Sequence, residues 1–262
     1  MDEGSKRLCT LEIGGATARL TFDRAEQRNA FSTDLLRAAH ARLDDLEQIL
    51  GEGSREHDRL RVLVVSGAEP CFAAGMDLKE VIIEHSGPDL PGELLASLGR
   101  LALRLRSLPL VTVARVNGAA IGGGCGLACA CDIAVSHAGA KVGFPEVDLG
   151  LCPAVVAPIL VRKIGAGPAR RVLLLGGVLT GERAHELGLI DELAPSREML
   201  DDTLSTVVER LASGGPEALA ATKGLLNQLD GSLDEDLVRR GAELSARVLA
   251  TDEAQAALKA RL

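Results

Sequence analysis

Two glycine-bearing stretches carry the first chemical signal in this 262-residue chain: "CFAAGMDLKE", Cys71 to Glu80, and "NGAAIGGGCGLA", Asn117 to Ala128. Each follows a run that reads as a buried strand and leads into a helix start. A helix start presents unpaired backbone N–H groups and a partial positive charge, and glycine lets a ligand come close to the backbone. Two such N–H groups aimed at one point would make an oxyanion hole for charge developing on a carbonyl oxygen. Tight packing of a strand on a helix also selects glycine, so the stretches alone leave both explanations open. Gly126 is a further oddity. It falls on the first turn of the second helix, where glycine costs about 1 kcal/mol relative to alanine. Glu146, in "FPEVDLG", offers a carboxylate. In an apolar pocket its pKa would rise toward the working range of an acid/base, but a Glu after Pro fits a surface turn or a helix-start charge equally well.

Several other chemistries are excluded or disfavoured. There is no Tyr and no Trp, only four Phe, and the net charge is −8. Basic stripes and stacking aromatics are therefore missing, and nucleic acid is not expected as a partner. The six cysteines match no zinc spacing and read as small buried apolar residues in a reducing compartment. His40 and His185 fall within helices. His85, Glu80, Glu84 and Asp148 are weaker acid/base candidates. No apolar run reaches the ~18 residues of a membrane span, and the polar N-terminus has no signal-peptide core; a cytoplasmic location is the expectation.

The elements that must position these residues follow from periodicity. Leu8 to Ile13 and Ala16 to Phe22 alternate as a hairpin around Gly14-Gly15. Ser32 or Thr33 can cap a helix to about Leu50, with Leu35, Leu36, Ala39, Leu43 and Leu46 on one face. "RVLVVSG", "LVTVARV" and "DIAVS" read as buried strands and "KVGF" as a short one. Asp77 can cap a short helix "LKEVIIEH", and a long helix follows to Ser107. A helix from about Ala154 to Ile164 contains Pro158, which predicts a bend or a late start. After Arg183 the pattern is helical: Ser196 to Ala212, Pro216 to Leu229, and Asp234 onward. Strands alternating with helices and then helices alone indicate an α/β core followed by a helical C-terminal region, divided at about residues 1–195 and 196–262.

"RNAFS", "CFAAGMDLKE", "VNGAAIGGGCGLACACDIAV", "FPEVDLGLCP" and "LTGERAHELGLIDEL" occur in that order. Over about residues 8 to 230 the chain resembles the crotonase (enoyl-CoA hydratase/isomerase) superfamily. The resemblance implies an α/β crotonase fold of repeated ββα units with a C-terminal helical region that mediates trimerisation, as a trimer or a dimer of trimers. It also implies acyl-CoA as substrate, with coenzyme A entering as part of that substrate and no metal or redox cofactor. The oxyanion hole would be made by the N–H groups of Met76 and Gly123, and Glu146 would move protons. Backbone around Ala30, Ala73, Ala74, Asp77 and Leu78 would contact CoA. Arg24, Arg28, Lys79 and Lys223, the last in "ALAATKGLL", would supply cations for its phosphates.

The family's hydratases carry a second glutamate on the first turn after G-G-G. Here "CGL" puts Gly126 in that place, so the two-glutamate mechanism is in doubt and Gly126 becomes part of the acyl site. "GLCPAVVAPILVRKIG", Gly150 to Gly165, replaces the family's usual glycine-rich segment. It looks more like bacterial 3-methylglutaconyl-CoA hydratases, and like dehydratases that act on hydroxymethylglutaryl groups in polyketide β-branching. The expectation is therefore reversible hydration of a 2-enoyl-CoA, such as 3-methylglutaconyl-CoA. A single-glutamate enoyl-CoA isomerase and a catalytically weak acyl-CoA-binding protein are the alternatives.

Overall fold

The computed structural model of the protein describes residues 8–51, 59–82 and 89–261. Its centre is a six-stranded sheet in the order β1-β2-β3-β4-β6-β9. β1 (Cys9–Gly14) and β2 (Thr17–Phe22) form the expected antiparallel hairpin. β2, β3 (Val62–Gly67), β4 (Val111–Val116), β6 (Ile133–His137) and β9 (Glu192–Ala194) then run parallel. A second, three-stranded sheet contains β5 (Ala119–Ile121), β7 (Lys141–Gly143) and β8 (Val178–Thr180).

Every residue of β3 is buried, as a parallel strand covered on both faces requires. Leu63 and Val65 face the main core, while Val62 and Val64 face a smaller cluster with Val113, Val135, Leu200 and Leu204. The two faces are covered by different helices. α1 (Thr33–Ile49) buries Leu35, Leu36, Leu43 and Leu46 in the main core, each worth about 1.5–3 kcal/mol relative to exposure. Ser32 caps it, accepting from Leu35 N. α8 (Leu200–Ala212) covers the other face.

Between these lie the elements that shape the site. α2 (Leu78–Val81) is capped by Asp77, as expected, but ends at Val81; Glu84 and His85 lie outside the described residues. α3 (Leu90–Ser107) and α4 (Gly123–Ala130) follow. α5 (Ala157–Ile164) takes the late start, because Pro158 fits only in a first turn. α6 (Ala166–Leu175) and α7 (Gly181–Glu186) precede β9, which interrupts the run expected to be helical. β8 and β9 are three residues each, too short for periodicity to reveal. α9 (Pro216–Asp230), α10 (Glu235–Leu249) and α11 (Asp252–Lys259) complete the chain. α10 packs along α3. Among the described residues no helix is long and apolar enough to cross a membrane.

Candidate active site

The two glycine-bearing stretches meet side by side. Ala73 and Ala120 form a parallel bridge, with Ala73 N donating to Ala119 O at 3.1 Å and Ile121 N donating to Ala73 O at 3.0 Å. Three residues further along each parallel segment come Met76 and Gly123. Gly75, at φ +93°, permits the contact; a Cβ there would sit 3.2 Å from Ile121 O. Phe31 then fixes which way the amides point. Phe31 N donates to Gly75 O at 2.7 Å, and Asp77 N donates to Phe31 O at 2.9 Å. Extended chain alternates its N–H directions, so the Met76 N–H points away from Phe31. Gly123 is the first residue of α4, where a backbone N–H has no intrahelical acceptor. Met76 and Gly123 both line one cavity of about 130 Å3.

Glu146 lines the same cavity. The Phe144-Pro145-Glu146 segment follows β7 and enters a 3-10 turn at Val147–Leu149. Gly122, at φ +54°, lets the carboxylate lie over the start of α4, because a Cβ there would come within 2.9 Å of Glu146 Oε1. Glu146 as a residue is half-buried, yet its Oε2 is sealed from solvent and has no hydrogen-bond partner. Burial pushes its pKa from 4.5 up to about 7; a hydrogen bond from its own backbone opposes this, and the nearby Asp148 charge adds to it. The cavity wall is mostly apolar, with Leu98, Leu151, Val155 and Val156 among its residues. A carboxyl group of neutral-range pKa thus shares one largely apolar cavity with the residues that carry the two backbone amides. That arrangement can take a proton from a carbon or a water and hold an enolate oxygen. Among the described residues no group of three His, Cys, Asp or Glu side chains could hold a metal ion.

The remaining residues singled out by sequence divide sharply. Ala74 and Leu78 line the cavity. Arg28 and Lys79 are exposed, and Arg28 O accepts from Ala74 N at 3.0 Å, which sets that arginine beside the cavity wall. Ala30 sits just before the Phe31 bridge, its amide donating to Gln27 O at 3.0 Å.

Five expectations are corrected. Ala73 is fully buried and spends both backbone groups on β5. Asp77 is structural: it caps α2 through Lys79 N and pairs with Arg24 at 2.6 Å, which also withdraws Arg24 from phosphate binding. Lys223 is 6% exposed, and its ammonium donates to Leu105 O and Leu110 O and pairs with Asp132 at 2.8 Å. It pegs α9 to α3 and β4. Gly126 does not line the cavity; Val156 packs over it. Of the weaker candidates, Glu80 accepts from Thr33 N and Oγ1, and Asp148 accepts from Gly177 N. Both serve the scaffold.

Some site-building residues carried no sequence signal. Asn29, at φ +54°, donates through Nδ2 to Ala68 O and Cys71 O and so anchors the loop that leads to Met76. Ser245 and Leu249 of α10 close the cavity from a segment distant in sequence from the rest of its lining. A left-handed asparagine is a hint of constrained backbone only after the turn is seen.

Proteins of similar sequence and shape carry enoyl-CoA hydratase names. Residues 12–260 match the family model for enoyl-CoA hydratase/isomerase. A Thermus thermophilus protein provisionally named an enoyl-CoA hydratase is 35% identical over 248 residues, 94% of each chain. The 2,3-dehydroadipyl-CoA hydratase of Escherichia coli is 33% identical over 80% of this chain and 77% of its own. The crystal structure of an enoyl-CoA hydratase from Mycobacterium avium superposes with a TM-score of 0.83 at 31% identity, covering 100% of this chain and 96% of that one. A match over nearly the whole length, joined to a carboxylate that shares one cavity with Met76 and Gly123, leaves one conclusion: this chain is a crotonase-fold enzyme and belongs to the enoyl-CoA hydratase/isomerase family.

Proposed function

We propose that the enzyme adds water reversibly across the C2–C3 double bond of a 2-enoyl-CoA thioester, with Glu146 as its one proton carrier. Ionised Glu146 takes a proton from water, and the water oxygen bonds to C3. The π electrons move toward the thioester carbonyl, whose oxygen is held by the Met76 and Gly123 amides. Protonated Glu146 then returns its proton to C2 as the enolate collapses. The sum is addition of one water, and the reverse is dehydration. The observation that carries this reading is the neutral-range carboxyl of Glu146 in one largely apolar cavity with the residues that carry those two amides. The solvent-exposed Arg28 and Lys79 support contact with the CoA phosphates.

The filled position beside Gly126 favours a second reading, a double-bond isomerase. With no second carboxylate there, Glu146 could carry a proton between C2 and C4 without water. Turnover in 18O-labelled water separates the two: hydration yields a labelled 3-hydroxyacyl product, and isomerisation moves the double bond without label. Glu146→Gln should lower either activity by about 10²- to 10⁴-fold; near wild-type turnover would remove Glu146 from the mechanism.

3-Methylglutaconyl-CoA, suggested by the "PAVVAP" segment, would bring a second carboxylate into the cavity. No Arg, Lys or His is among the described residues that line it. Burying an unpaired charge there is costly, so an uncharged acyl group fits the cavity better. Homo-oligomerisation, as a trimer or dimer of trimers, belongs to the same proposal. It is supported by exposed Leu174 and Leu175 on α6 and Leu225, Leu226 and Leu229 on α9. Six unpaired cysteines support a reducing, cytoplasmic setting.

A further inference from the structure

Val156 occupies the volume that any side chain at position 126 would need. A Cβ on Gly126 would lie 2.1 Å from Val156 Cγ1 and 2.8 Å from Val156 Cβ. The second of these atoms is not a free end that can swing away.

Val156 is itself held in place. It is buried and immediately precedes α5. The segment leading to it is clamped by α10: Ser245 Oγ donates to Cys152 O at 2.7 Å and accepts from Ala154 N at 3.1 Å. Gly241 lets that backbone close in, since a Cβ there would sit 2.6 Å from Ala154 O. α3 yields in the same way at Gly99, where a Cβ would sit 2.4 Å from Val238 Cγ1 and 3.5 Å from Val155 Cγ1. Three helices each omit a side chain around one short segment and the helix that clamps it. The bare backbone at Gly126 is the seat of Val156, not a vacancy.

Val156 also lines the cavity shared by Glu146, Met76 and Gly123, whose volume is about 130 Å3. Resting on the enoyl-thioester reading above, the geometry points to Val156, seated on Gly126, as a specificity-determining residue that restricts the acyl group to a short, uncharged chain. Its side chain supplies apolar wall at a place where a side chain at position 126 would otherwise project. Because the clamp holds the segment from behind, the wall does not retreat for a longer chain.

The test uses the intact protein and a series of straight 2-enoyl-CoA thioesters of four, six, eight and ten carbons. Wild type is compared with Val156→Ala and Val156→Ile, which change the wall in opposite directions. Folding is checked by circular dichroism. One methylene in an apolar pocket is worth about 10- to 200-fold in kcat/KM. Val156→Ala should therefore raise the eight-to-four-carbon ratio of kcat/KM by about tenfold or more, and Val156→Ile should lower the six-to-four-carbon ratio. A purely structural role would change stability and leave these ratios alone. Equilibrium binding of butyryl-CoA and octanoyl-CoA to the same proteins reads the wall without chemistry. If no enoyl-CoA turns over but the binding ratio still shifts, the assigned reaction fails and the role of Val156 stands. Unchanged ratios in both measurements, or a wild type that prefers the longest chain, would overturn the inference.

Discussion

Glu146 should weaken the fold it serves, and the size of the effect can be worked out. Its carboxyl is raised from 4.5 to about 7 because burial penalises the charged form. Below the lower value the group is protonated in both folded and unfolded protein and contributes nothing. Between the two values the unfolded chain has released the proton and the native state still holds it. The native state binds more protons there, so stability falls as pH rises. Above about 7 both states are ionised and the loss is complete. From 4.5 to about 7, at ~1.4 kcal/mol per pH unit, the loss is about 3 kcal/mol. Glu146→Gln replaces the carboxylate by an amide that does not titrate. Urea unfolding of wild type and variant at matched protein concentration, from pH 5 to pH 8, isolates the term, because every other titrating group is common to both. The variant should gain about 2.5 kcal/mol on wild type across that range, most of it by pH 7, while losing catalytic activity. Any constant cost of burying the amide cancels in the pH dependence. A stability difference that is flat with pH would refute the desolvated-carboxyl reasoning, whatever happens to turnover.

The same ionisation sets the rate profile: kcat/KM should rise with pH and level off above about 7, since both directions begin with the carboxylate form, and a profile flat from pH 5 to 9 would exclude Glu146 as the base. Gly123→Pro deletes one proposed oxyanion amide at the first helical position, where no helix hydrogen bond is lost and the flexible end of Leu98, 2.6 Å from the new Cβ, must move aside; turnover should drop by about 10²- to 10³-fold in a protein with native circular dichroism, and unchanged turnover would take Gly123 out of the mechanism. Lys223→Met removes the peg beside Asp132 and should cost about 3–5 kcal/mol of stability with KM unchanged, whereas a stable protein with a raised KM would restore Lys223 as a CoA ligand.

How far the sequence reaches depends on the range of the interaction. The hairpin at Gly14-Gly15, α1 with its Ser32 cap and leucine face, and strands β3, β4 and β6 were all legible. Each is encoded by neighbours a few residues apart: period-two or period-3.6 burial and a capping hydroxyl. The two glycine-bearing stretches and Glu146 were legible as residue types in a familiar order, and the cavity gathers Met76, Gly123 and Glu146 together.

The rest was decided in three dimensions. Lys223 and Asp77 are charged residues in the right blocks, and nothing local to either reveals that Asp132 and Arg24 claim them. The altered carboxyl of Glu146 is a sum over the apolar walls that desolvate it, drawn from four helices, strand β5 and the loops between them. Gly126 and Val156 stand thirty residues apart and each looks unexplained alone; only the packed chain shows that the missing side chain of one is the space filled by the other. Periodicity tells a chain which face to bury. What that face is buried against, and so which charges are spent on the scaffold and which are left to react, is a property of contacts between distant segments, and the tertiary structure alone sets it.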